Sequence, residues 1–103
     1  MSTIVKIDQF SVCKAYNQRL VILTNILFNE VDSILVAPVQ VQKNQLLISG
    51  LQIPVTINNE TCYVDLLDIA TVSKNQLKPV PDHSLQSYRA EIKAGIDLLI
   101  DGF

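Results

Sequence analysis

The chain has 103 residues, 49% of them hydrophobic and only 17% charged, with a net charge of −2. That length suits one domain spanning residues 1–103 and excludes two, and the thin polar coat hints at a buried subunit interface, although a well-stocked monomer core explains it equally. Six lysines and two arginines lie scattered with no basic run of the kind a nucleic-acid binder shows, and the longest apolar runs, Leu20 to Leu23 and Ile34 to Val39, fall far short of the roughly 20 residues that span a bilayer.

The opening MSTIVKID lacks a basic segment followed by an apolar one, so no secretory signal is expected and a cytoplasmic location is the default. Thr3 to Asp8 alternates β-branched and polar residues and reads as a first strand, continued after a bend by Phe10 to Ala15. The polar segment Tyr16 to Arg19 contains an Asn suited to a turn. RLVILTNILF follows as a central strand. Charge at Glu30 to Ser33 breaks that run, and SILVAPVQVQ then predicts a third strand with Val36, Pro38 and Gln40 on one face and Ala37, Val39 and Val41 on the other. Pro38 cannot donate to a ladder, which marks an edge or a bulge.

Leu46 to Leu51 reads as a short strand or as a loop crossing an apolar surface. The clearest hairpin joins Ile53 to Ile57 with Thr61 to Leu67 through Asn58, Asn59 and Glu60, because Asn tolerates positive φ. SKNQ is a further turn, and LKPVPD is held extended by its prolines. From Ser84 to Phe103 the apolar residues Leu85, Tyr88, Ile92, Ile96, Leu99 and Phe103 recur every three or four positions, which predicts an α-helix capped by Asp82 or Ser84. Short strands with turn signals and one terminal helix point to a strongly bent antiparallel sheet or small barrel with a helix laid on it.

Signals for chemistry are sparse. His83 is the single histidine and sits at a loop-to-helix junction, where a solvated side chain is expected; neither a two-His metal site nor a Ser-His or Cys-His arrangement is easily assembled, so no metal and no cofactor are expected. Cys13 and Cys62 lack CxxC spacing and read as buried thiols. Asp65 and Asp68 stand at a strand end where acidic residues ordinarily meet water. The helix end is more informative: Asp97 and Asp101 lie one turn apart beside the terminal carboxylate, at the negative end of the helix dipole. Such an acidic tip suits an arginine-bearing partner.

Several short motifs occur in order. Val36, Ala37, Pro38 and Val39 form V-x-P-hydrophobic; Pro54, Val55, Thr56 and Ile57 precede an acidic turn at Glu60; Asp68 to Val72 reads D-hydrophobic-A-[ST]-V; and Glu91-Ile92, Gly95 to Leu98 and the closing Gly102-Phe103 mark the helix. Together they resemble the CcdB-type toxins of bacterial toxin–antitoxin modules, which poison DNA gyrase. The resemblance runs from about Arg19 to Phe103. Where several members of that family carry a tryptophan before the final Gly, Asp101 stands here.

The resemblance implies a mainly β (α+β) fold, an SH3-like small barrel of antiparallel strands with a smaller sheet and a C-terminal α-helix, assembled as a two-fold homodimer. It also implies a non-catalytic toxin that binds the gyrase A subunit, is wrapped by a cognate antitoxin, and reaches operator DNA only through that antitoxin to repress its own operon. Carried over by position, the gyrase-facing residues are Asn25, Leu27 and Phe28 after the second strand, and Asp97, Asp101, Gly102 and Phe103 on the helix. The alternative is an endoribonuclease of the MazF-type toxins, which share the barrel and which DLLDIATVSKNQL resembles; acidic net charge and few arginines weigh against it. A third reading is a dimeric interaction module without toxicity.

Overall fold

The computed structural model describes residues 8–25 and 32–102. Seven strands and a helix follow in chain order: β1 (Ser11–Ala15), β2 (Gln18–Ile22), β3 (Ser33–Val41), β4 (Gln52–Ile57), β5 (Glu60–Asp65), β6 (Ala70–Ser73), β7 (Lys78–Ser84) and α1 (Arg89–Asp101). Every pairing is antiparallel, in one unclosed sheet ordered β4-β5-β3-β2-β1-β7, with β6 joining β3. The expected mostly β architecture with a C-terminal helix is what the chain adopts. The first predicted strand, Thr3 to Asp8, lies outside the described residues except for Asp8. The strand that opens the described sheet is its predicted continuation, which starts after a bend at Phe10 (φ +67).

Both tight hairpins rest on turns with positive φ at two central residues, the geometry that matches the right-handed twist of the flanking strands. Asn58 (φ +50) and Asn59 (φ +65) connect β4 to β5 as their residue type predicts, and Tyr16 (φ +53) and Asn17 (φ +61) connect β1 to β2. Leu46 to Leu51 is a loop, with Leu46 almost fully exposed, and it turns at Gly50 (φ +81).

Pro38 corrects its prediction. It sits on β3, a central strand, where Leu20 of β2 faces it on one side. On the other side β3 changes partner: Ser33 to Val36 pair with β6, and Val39 to Val41 pair with β5. Ala37 and Pro38 occupy the gap between the two ladders, so a residue without an N–H is tolerated inside a central strand.

The two faces of β3 are as the alternation predicts. Ala37 and Val39 join Val12, Val21, Val55, Val64 and other side chains in the larger core, which α1 covers with Ile92; Val36 joins Cys13, Leu20, Ile22, Ile34 and Leu77 in a smaller core on the opposite face. The helix begins later than predicted. Ser84 Oγ accepts from the Gln86 N–H at 3.2 Å, but neither Asp82 nor Ser84 is the cap: Leu85 holds the N-cap of a 3₁₀ turn, Gln86–Tyr88, and α1 proper starts only at Arg89 with Tyr88 at its N-cap. Of the predicted stripe, Leu85 and Ile92 are buried and Tyr88 and Ile96 are half-buried, whereas Leu99 is exposed. Gly102 ends the helix in the left-handed conformation (φ +77), its N–H donating to the Leu98 carbonyl at 2.8 Å.

Candidate functional site

The strand register assembles a cationic row that the linear order conceals. Lys14 on β1 stands opposite Arg19 on β2, and on its other side opposite Lys78 on β7. Directly opposed residues of antiparallel strands share a face, and at about 4.8 Å between strands the row from Lys78 to Arg19 spans on the order of 10 Å. Two residues along, Val12 and Val21 pack in the larger core, so by the period of two the row continues the helix-facing side of the sheet past the limit of that core. Like charges directly opposite each other destabilise a sheet. The pairing of Lys14 with Lys78 and Arg19 is therefore not one that sheet stability favours, although Arg19 has a carboxylate partner of its own.

A groove of about 630 Å³ opens at the end of the row, lined by Lys14, Asn17, Gln18, Arg19, Gln40 and Glu60 among others. Glu60, the first residue of β5, brings a carboxylate to it: Arg19 Nη2 lies 3.1 Å from Glu60 Oε1, with the Arg19 side chain 23% exposed and that of Glu60 48% exposed. The fully buried Cys62 sits beneath the pair. Its Sγ accepts from Arg19 Nη2 at 3.4 Å and its thiol donates to Glu60 Oε1 at 3.6 Å. Burial pushes the Cys62 thiol up, Glu60 adds to that shift, and the Arg19 guanidinium pulls the other way. A guanidinium held against a carboxylate, with two ammonium groups in the same row, provides charge for binding phosphate and an acceptor for a proton.

Three of the eight scattered cations thus converge, and this is what the linear reading missed. Only the pairing of β1 with both β2 and β7 brings them together, and no contiguous basic run announces it.

Of the residues expected to face gyrase, Asn25 is exposed just after β2 and Asp97 is exposed on α1. The fold brings these two together along one groove of about 260 Å³, which Arg89 and Lys93 also line. Asp101 and Gly102 are exposed at the helix tip; Leu27, Phe28 and Phe103 lie outside the described residues. His83 is half-buried on β7, not fully solvated as expected, with Nε2 2.8 Å from Asn58 Nδ2. Asp65 Oδ1 accepts from the Leu67 N–H at 3.1 Å and caps a 3₁₀ turn, a structural use. Cys13 and Cys62 are free and buried, as expected of thiols without CxxC spacing. Among the described residues no cluster of three or more His, Cys, Asp or Glu side chains is placed to hold a metal ion, and no helix is long and apolar enough to cross a membrane.

Sheet and helix together define a small α+β domain carrying a cationic groove at one end of its sheet. No family model matches the sequence, and no curated protein matches it. Solved structures do match in fold. An endoribonuclease in complex with its cognate antitoxin, from a mycobacterial species, superposes with a TM-score of 0.73 at 13% identity, covering 90% of this chain and 93% of that one. A toxin described as an Mtb toxin superposes with a TM-score of 0.65 at 16% identity, covering 89% of this chain and 99% of that one. At such identity the likeness is one of fold. It corrects the expectation of a non-catalytic protein to this extent: the fold matched is one that an endoribonuclease adopts.

Proposed function

We propose that this protein is an RNA-cleaving toxin of a toxin–antitoxin pair, with the Arg19 groove as its active site. The observation that carries the reading is the row Lys78, Lys14, Arg19, three cations stacked across three neighbouring strands against their mutual repulsion. A polyanion is the ligand that turns this repulsion into binding. The endoribonuclease fold supports the same reading, which is the alternative weighed from the sequence.

The chemistry follows from the Arg19 and Glu60 pair. The phosphate next to the scissile bond docks on Arg19, whose fork of N–H donors fits phosphate oxygens. Glu60 takes the proton of the neighbouring 2′-hydroxyl; the 2′-oxygen bonds to phosphorus, and the bond from phosphorus to the 5′-oxygen breaks. The leaving oxygen takes a proton from solvent, giving a 2′,3′-cyclic phosphate and a 5′-hydroxyl. Arg19 also offsets the charge that builds on the phosphoryl oxygens during the transfer. His83 takes no part, since it lines a separate small pocket with Asn58.

The antitoxin is the natural protein partner, and an acidic segment of it laid on the cationic row would silence the groove. A homodimer fits the exposed apolar side chains Leu46, Ile48 and Ile100. Gyrase poisoning is what the CcdB resemblance implies, and two of the residues it assigns to the target, Asn25 and Asp97, line a second groove together with Arg89 and Lys93.

Incubating the purified protein with single-stranded RNA, and separately with gyrase, DNA and ATP, tests the reading. RNA fragments ending in cyclic phosphate are expected, and they disappear in Arg19→Ala. Trapped cleaved DNA without RNA fragments overturns it in favour of a gyrase poison, and neither product in favour of an interaction module.

A further inference from the structure

We propose that Tyr16 is a stacking platform for an unpaired nucleobase at the mouth of the Arg19 groove; this rests on the RNA-cleavage reading and adds the element that selects single strands.

Tyr16 and Asn17 are the two central residues of the turn closed by the Ala15 and Gln18 pair, at φ +53 and +61. Turns of this kind favour Asn, Asp and Gly, which tolerate the left-handed region. Asn17 obeys that preference, and the second hairpin uses Asn at both positions. Tyr16 departs from it. A bulky aromatic residue in the left-handed region is strained, and at 69% exposure its ring recovers little of that cost by packing. Neither local backbone preference nor burial explains the residue.

Its position does. Lys14, two positions before Tyr16, and Asn17, immediately after it, both line the groove, which places Tyr16 at its rim and not in its wall. At about 3.4 Å per residue along the hairpin, Tyr16 stands on the order of 7–10 Å from Arg19, at the tip of the element that carries two of the three cations of the row. Cationic groups that follow the backbone, with an aromatic face beside them, are what a single-stranded nucleic-acid site combines. The tight turn fixes the backbone that carries the ring, so little backbone order is lost on binding. A duplex keeps its bases stacked inside and cannot use the platform.

The experiment measures binding of a short single-stranded RNA, made uncleavable by 2′-O-methyl groups and carrying 2-aminopurine, whose fluorescence falls on stacking. The chain has no tryptophan to interfere. The expected result is that Tyr16→Asn weakens binding by about 5- to 100-fold and abolishes the quenching while its thermal midpoint stays equal or rises. Tyr16→Phe keeps both binding and quenching, and the native protein prefers the single strand to its duplex. Native binding that Arg19→Ala weakens and Tyr16→Asn does not overturns the platform alone. Equal loss in Tyr16→Phe and Tyr16→Asn also overturns it, because the hydroxyl and not the ring face would then be at work. Absence of RNA binding by the native protein overturns the platform and the RNA-cleavage reading together.

Discussion

Lys14 and Arg19 face each other across the β1 and β2 ladder, with Lys78 on the far side of Lys14. A sheet that spends stability on opposed like charges gains when one is removed, whereas a phosphate site loses. Lys14→Thr, which keeps β propensity, is therefore expected to stabilise the fold by about 0.2–1 kcal/mol. The same change weakens RNA binding and reduces the slope of log affinity against log salt by about 0.7. Thermal unfolding and binding titrations over a range of salt concentrations check the two opposite signs.

Glu60→Gln separates binding from chemistry. The amide keeps the shape and can still meet Arg19, but it cannot take a proton. Cleavage is expected to fall by about 10²- to 10⁴-fold, with RNA affinity unchanged or tighter because a negative charge has left the groove. The half-exposed ion pair lost here contributes at most about 1 kcal/mol to stability. Single-turnover cleavage, read beside binding and a melting curve, distinguishes this from simple unfolding.

Gly95 lies in the middle of α1, where glycine ordinarily weakens a helix. The reason is contact: a Cβ there would overlap Leu66 Cδ1 and come within 2.6 Å of the Gly50 carbonyl oxygen. Gly95→Ala therefore costs about 1–2 kcal/mol net despite its better helix propensity, lowering the thermal midpoint by about 4–12 °C. The pair Gly50 and Gly95 brings α1 close to the loop before β4. Calorimetry on the variant checks the sign.

Alkaline pH should destabilise the protein through its thiols. Burial raises both Cys13 and Cys62 above the ordinary value of 9.0. Between that value and the raised folded one, the unfolded chain has released thiol protons that the folded chain still holds, so stability is full below pH 9 and falls as pH rises through the folded values. Urea unfolding at pH 7.5 and at pH 10 should show the drop. In the variant carrying Cys13→Val and Cys62→Val the part of the drop due to the thiols disappears.

Much of the framework is legible along the chain. Alternation in SILVAPVQV assigns both faces of β3 correctly, Asn58 and Asn59 announce their turn by tolerating positive φ, and the 3.6-residue period with a closing glycine marks α1. These features are local: each depends on backbone preferences and on neighbours within a few positions. Pro38 reads locally as the mark of an edge or a bulge, whereas its tolerance comes from a change of partner strand, a relation between β5 and β6 that no local pattern carries.

The site belongs to the second kind. By itself the sequence determined an antiparallel domain with a terminal helix, two tight Asn-bearing hairpins and two buried thiols. Only the tertiary structure decided that Lys14, Arg19, Glu60 and Lys78, scattered along the chain, meet at one end of the sheet. Charge acts through space, and antiparallel pairing sets distances across strands independently of separation along them, so a chain that is acidic overall still presents a cationic groove.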